Sequence, residues 1–291
     1  MAEPKPITPD IVSASPGGAA QRAGEDLPTS HEVTVERWRN GELERVTDQV
    51  AEEVPVALTY HGVPHVVMLA TPADLEDLAV GFTLSEEIVA NRAEIMSVES
   101  VSRDDGALEV RIGVTAERFS SLLRRQRNMT GRTGCGLCGA ETVEDAIRHP
   151  QAVGAGLRVS TSALHAALQD LRRWQQINLL TGSVHAAAWV APEQGIQLVR
   201  EDVGRHNALD KVIGAVARSG GDFSTGYFLV TSRASYEMVQ KTAIVGAAFI
   251  AAVSAPTAFA IRLAETTGVT LVGFLRENQH VTYANSSRLV T

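Results

Sequence analysis

Cys135-Gly-Leu-Cys138 holds the only two cysteines of the chain, with Gly134, Gly136 and Gly139 around them. Two thiols at this spacing can hold a metal, cycle between dithiol and disulfide, or carry sulfur as a persulfide, and the thiolate is the reactive form. Arg118, Arg124, Arg125, Arg127 and Arg132 precede the pair, with no acid between Glu117 and Glu141. Such a run stabilises a thiolate or persulfide anion, and it also attracts a phosphorylated ligand or an acidic partner. Structural zinc wants four ligands, and no second CxxC follows, so zinc would need histidines recruited from afar or from another protomer. A thioredoxin-like motif belongs at a strand-to-helix junction, whereas this pair sits in a glycine-rich stretch without periodicity. Sulfur or redox chemistry, zinc and an inert flexible loop all remain open from these residues.

A second dense stretch runs from Arg200 through Glu201-Asp202-Val-Gly-Arg205-His206-Asn207-Ala-Leu-Asp210 to Lys211. It reads as a strand-to-helix turn, where α/β proteins usually build sites. A helix with Asn207 as N-cap and Asp210 at its third position accounts for those two residues but leaves Glu201, Asp202, Arg205 and His206 as site candidates. His185 opens an apolar strand within Thr181-Gly-Ser-Val-His-Ala-Ala-Ala-Trp189 and by itself reads as a core or turn histidine. A deaminase zinc site would show His-x-Glu before Pro-Cys-x-x-Cys; Ala187 stands where that glutamate belongs, and the cysteines come first. Thr231-Ser-Arg233-Ala-Ser235-Tyr-Glu237 suits phosphate binding at a helix N-terminus, or simple capping by Ser235. Phe274-Leu275-Arg276-Glu277-Asn278-Gln279 reads as a turn after a strand, with Arg276 and Asn278 able to contact an anion or a nucleotide amide.

The elements that must position these residues follow from pattern. Residues 1–30 are rich in proline and poor in large apolar groups, which predicts a disordered tail. Residues 31–126 read as a β-rich α+β part. Val33, Val35 and Trp38 alternate, Val54–Tyr60 and Val63–Ala70 flank a His61-Gly62 hairpin, and Thr71-Pro72 is placed to cap a helix of about fourteen residues. Residues 127–142 form the CxxC loop. Residues 143–291 read as an α/β core, opening with a helix capped at Ser160 or Thr161 and continuing with alternating strands and helices that imply partly parallel pairing. The net charge of −8, from 26 basic and 34 acidic residues, argues against a general nucleic-acid binder. The uncharged run Ala243–Ile261, broken by Pro256, predicts a helix, a strand and a second helix rather than a membrane span. The first residues show no secretory pattern, which predicts a cytoplasmic protein.

Thr133-Gly-Cys-Gly-Leu-Cys-Gly139, Thr181–Trp189, Glu201–Gly214 and Thr231–Glu237 together resemble the formate dehydrogenase accessory sulfurtransferase family, from about residue 32 to the C-terminus. The resemblance implies a cytidine-deaminase-like, mixed-sheet layered α/β fold with an additional N-terminal β-rich part. It implies a homodimeric, cytoplasmic sulfurtransferase that takes persulfide sulfur from a cysteine desulfurase. That sulfur would pass to the molybdenum bis(molybdopterin guanine dinucleotide) cofactor before the cofactor enters the formate dehydrogenase catalytic subunit. Cys135 would bear the persulfide, with Cys138 as auxiliary thiol. Phe274, Leu275, Arg276, Glu277, Asn278 and Gln279, together with His185, Asp202, Arg205, His206, Arg233 and Ser235, are the residues expected to meet the cofactor. Asn278 and Gln279 depart from relatives, which often carry a glycine and a basic residue there. Neither a resident metal nor a nucleic-acid or membrane partner is expected. The alternative is a non-catalytic cofactor-binding chaperone whose CxxC loop is structural or holds zinc.

Overall fold

The structure is a computed structural model that describes residues 27–103, 107–127 and 150–291. The tail expected over residues 1–30 falls almost wholly outside the described residues, as do Cys135 and Cys138 with most of their loop.

Strands β1 (Ser30–Arg39) and β2 (Glu42–Ala51) form an antiparallel ribbon turned at Asn40-Gly41, whose φ values are 56° and 91°. Two positive φ values in a two-residue turn match the right-handed twist of the flanking strands. His61-Gly62 makes the expected second hairpin between β3 (Val54–Tyr60) and β4 (Val63–Ala70). With β5 (Ile95–Ser102) and β6 (Leu108–Val114) these give a four-stranded sheet of order β4-β3-β6-β5. Helix α1 (Leu75–Ser85) is shorter than expected and begins after Asp74, not at Thr71-Pro72. Long-range pairing overrides the local cap: the buried Thr71 donates its N–H to Asp202 Oδ2 at 3.1 Å, and its hydroxyl accepts from the Val203 N–H at 3.2 Å. Helix α2 (Ala116–Arg127) closes this part.

The short β7 (Val159–Ser160) leads into α3 (Thr161–Trp174), capped as expected by the Ser160 hydroxyl accepting from the Ala163 N–H. A short helix, α4 (Gln176–Thr181), which the sequence reading missed, follows directly. Then come β8 (His185–Ala191), β9 (Gly195–Asp202), α5 (Arg205–Arg218), β10 (Tyr227–Val230), α6 (Tyr236–Ile244), β11 (Phe249–Ala252), α7 (Ala258–Thr267), β12 (Thr270–Arg276) and β13 (Gln279–Ala284). The chain ends in β14 (Leu289–Val290), paired with β7. The uncharged run thus resolves into the end of α6, β11 and α7. Among the described residues no helix is long and apolar enough to cross a membrane.

The six-stranded sheet has the order β13-β12-β11-β10-β8-β9, with β10, β11 and β12 parallel and β8 antiparallel to both its neighbours. Its residues alternate faces with the period of a strand. Ala187, Trp189, Phe228, Val230, Ile250 and Ala252 join the core shared with the four-stranded sheet, whereas Ala188, Val190, Tyr227, Leu229 and Phe249 pack with Leu164 and Leu171 of α3. The result is a mixed α/β fold in which one core serves both sheets.

Helices α1 and α5 cross in the shared core at two glycines. A Cβ on Gly81 would lie 1.7 Å from the Asp210 carbonyl oxygen, and one on Gly214 would lie 1.8 Å from that of Asp77. Only backbone without a side chain permits this approach.

Candidate functional site

Strand directions bring the described site candidates to one edge. Strands β9 to β12 run so that their carboxyl ends share that edge, and antiparallel β8 begins there, with His185 opposite Asp202. His185, Arg205, His206, Arg233, Ser235 and the Phe274–Gln279 turn therefore gather where α/β folds place ligands.

The block from Glu201 to Lys211 divides by task. Glu201 reaches back to α4, its carboxylate accepting the N–H groups of Ile177 at 2.8 Å and Asn178 at 2.9 Å. Burial raises its pKa above the ordinary value, opposed by those N–H groups. Asp202 is fully buried and paired with Lys211 at 2.7 Å, and it accepts from the N–H of Gly204 and the Asn207 amide as well as from Thr71. Asn207 is not the N-cap: α5 starts at Arg205 behind Gly204, and the Asn207 amide ties Asp202 to the Leu69 carbonyl. Asp210 accepts from Ser85 and from Lys241, whose ammonium also reaches Glu86. Burial opposes the charge on Lys241, but Asp210 and Glu86 hold its pKa above the ordinary value. These groups use their hydrogen-bonding capacity inside the protein.

Arg205, His206 and Ser235 contrast with them. Arg205 Nε, His206 Nε2 and Ser235 Oγ are three of the five buried side-chain polar atoms without a hydrogen-bond partner among the described residues. His206 Nε2 lies 2.6 Å from Glu237 Oε2, an ion-pair contact off the axis of a directed hydrogen bond. Burial works against ionisation of Glu237, yet His206, Lys241 and Arg205 bring its carboxyl below the ordinary range. Burial, with Arg205 and His206 nearby, lowers the pKa of His185, against the pull of Asp202. Neither α5 nor α6 has a side-chain cap at its N-terminus; Ser235 occupies the N-cap position of α6 without capping. The positive ends of two helices and a cationic cluster thus meet where an anion would be held. Arg233 is exposed at the same edge.

A cavity of about 670 Å³ opens at the same strand ends, on the side of α3, with Thr231, Val253, Leu275, Arg276, Glu277, Asn278 and Gln279 along one side; the side chains of the cluster do not line it. Arg276 donates to the carbonyls of Val253 and Leu275, fixing the turn. Phe274 has φ 49°, a left-handed conformation that costs a bulky residue roughly 1–3 kcal/mol. This strain coincides with a break in the β12–β13 register that buries Leu275 and leaves the Phe274 ring exposed.

His61-Gly-Val-Pro-His65 has the spacing of an imidazole pair that the sequence reading overlooked. His61 Nε2 is engaged by the Val114 backbone and His65 packs edge-on to Tyr60. Among the described residues no group of three or more His, Cys, Asp or Glu is placed to hold a metal.

The model of the FdhD/NarQ family matches residues 51–290. A protein named sulfur carrier protein FdhD from Cupriavidus necator is 50% identical over 282 residues, which span 97% of this chain and 96% of that one. Another of that name from Xanthomonas euvesicatoria is 49% identical over 262 residues, 90% and 93% of the two chains. A solved structure of a formate dehydrogenase accessory protein from Desulfotalea psychrophila shares the fold, with a TM-score of 0.74 at 20% identity over 90% of this chain and all of the other. With a family match across most of the chain and half the residues identical to a relative of nearly equal extent, this chain belongs to the FdhD/NarQ family.

Proposed function

We propose that this protein is a sulfur carrier, acting as a sulfurtransferase for formate dehydrogenase in the cytoplasm, with a cytidine-deaminase-like core. Cys135 thiolate attacks the outer sulfur of a persulfide on a cysteine desulfurase, forming the Cys135 persulfide and releasing the donor thiolate. Attack of Cys138 thiolate on the inner sulfur then forms a Cys135–Cys138 disulfide and expels hydrosulfide towards the molybdenum bis(molybdopterin guanine dinucleotide) substrate. An external thiol reduces the disulfide for the next round. The arginine run before the loop favours the thiolate needed for the first step.

The observation that carries the ligand half of this reading is the edge of the six-stranded sheet, where Arg205 and Ser235 keep unpartnered buried atoms and a cavity of about 670 Å³ opens at the strand ends. That volume suits one nucleotide-sized portion of the cofactor. In this reading the cavity takes a guanine nucleotide moiety and the cationic cluster its phosphates. A homodimer fits the large apolar side chains left exposed, Trp38 and Leu43 on the ribbon and Leu179 and Leu180 on α4.

Mass spectrometry of the Cys135–Cys138 peptide tests the carrier step, after incubation with a cysteine desulfurase, cysteine and pyridoxal phosphate. One added sulfur on Cys135, absent from Cys135→Ala, is expected. An unmodified peptide with zinc retained would instead favour a non-catalytic cofactor-binding chaperone.

A further inference from the structure

We infer that His165, on α3, and His280, on β13, form a two-point site for a divalent transition-metal ion of right-angled coordination such as Ni²⁺, separate from the cysteine pair. The two residues stand 115 positions apart, and only the fold brings them face to face. His280 lies two residues before Thr282, which pairs with Val272, so it shares the face of the six-stranded sheet on which Val272 and Leu275 pack with Leu164 and Leu171 of α3. His165 follows Leu164 on that helix. His165 Nε2 and His280 Nδ1 come to 3.0 Å, with the ring planes 73° apart. Two nitrogens ~2.1 Å from one ion are separated by about 3.0 Å at a right angle and about 3.4 Å at a tetrahedral angle, so this spacing suits a square-planar or octahedral ion.

Neither imidazole has another hydrogen-bond partner among the described residues, and both are half-buried, which leaves the remaining coordination positions to water. Without an ion, one bridging N–H on either ring holds the pair together. Binding takes no proton from the protein: the bridging hydrogen shifts to the outer nitrogen of its own ring, and both facing nitrogens then present lone pairs. Burial and the facing His165 lower the pKa of His280, so that ring lacks its second proton near neutral pH. Imidazole ligands suit Ni²⁺ and Cu²⁺, and two of them with water make an exchangeable site rather than a closed structural one. The site also has a mechanical consequence. His165 precedes Leu168 and Gln169 by one helical turn and His280 follows Gln279, and these three neighbours line the cavity, so a bound ion ties two of its walls together.

Calorimetric titration of the full-length, untagged protein with Ni²⁺ at about pH 7.5, with the imidazole signals followed by NMR, tests the site. Ni²⁺ does not oxidise thiols, and a Cys135→Ala/Cys138→Ala variant separates any binding to them. In the wild type and in that variant the ring signals of His165 and His280 are expected to broaden together as Ni²⁺ binds. His165→Ala and His280→Ala should each bind about ten-fold or more weakly, and the double variant no more weakly than either, because losing one ligand already destroys the chelate. Ni²⁺ should also raise the unfolding temperature of the wild type and leave that of the single variants unmoved, since the pair exists only in the folded chain. Uptake that disappears in the cysteine variant, or that persists within about two-fold in either histidine variant, would overturn the inference. So would a wild type that binds no Ni²⁺ at ~1 mM, which would leave the hydrogen bond as the whole role of the pair.

Discussion

The junction between α1 and α5 and the carboxyl edge of the six-stranded sheet draw on the same stretch of chain, yet they treat polar groups in opposite ways. At the junction Asp202, Lys211, Asp210 and Lys241 are buried and paired, and Asp77 takes both Arg200 and Arg218. At the edge, one turn of helix away, Arg205 and Ser235 carry buried atoms without a hydrogen-bond partner among the described residues, and His206 Nε2 meets the Glu237 carboxylate. Burying charge is tolerable only when it is compensated, so the first set fixes how the two sheets meet. The second set retains hydrogen-bonding capacity at the edge, which suits the anionic ligand proposed above. Density of charge in a sequence thus marks two different roles, and only partnership separates them.

The sharpest way to break this contrast is to unpair the junction. Lys241→Met leaves Asp210 as an uncompensated buried carboxylate and should lower the unfolding free energy by about 3–5 kcal/mol in urea titration, with much of the loss recovered by adding Asp210→Leu. Gly214→Ala places a methyl group against the Asp77 carbonyl and should cost about 1–3 kcal/mol, possible only by separating α1 from α5. A smaller effect concerns His185, whose pKa is lowered in the folded protein by burial and by Arg205 and His206. The stability gained by keeping it neutral is complete above roughly pH 6.5 and is lost as the pH falls towards the folded-state pKa. His185→Gln should flatten the fall in stability between roughly pH 7 and pH 5. An unchanged slope would show that burial and the neighbouring Arg205 and His206 do not hold His185 neutral.

Much of this was legible in the sequence. Alternation and turn residues located β3 to β6 and the strands and helices from His185 onwards, and the charge-dense turns at strand ends marked the edge where ligands gather. What was not legible depended on distant partners. Thr71 looked like a cap because its side chain suits one, but Asp202 lies far along the chain. Asn207 likewise seemed to start α5, whereas Asp202 and Leu69 recruit its amide. Glu201 was a site candidate because nothing local needed it; α4, too short to announce itself by periodicity, is what it holds. The Asn40-Gly41 turn of the ribbon was visible in the residues and could have been read.

The most direct test of the contrast is the shift in unfolding temperature that GDP produces in the wild type and in Arg205→Gln. If the edge is held unsatisfied for an anion, the variant without ligand unfolds at or above the wild-type temperature, and the upward shift seen with GDP in the wild type is largely lost. If Arg205→Gln instead unfolds well below the wild type while the GDP-induced shift persists, Arg205 belongs to the structural network, and the account of the edge as the anion site is wrong.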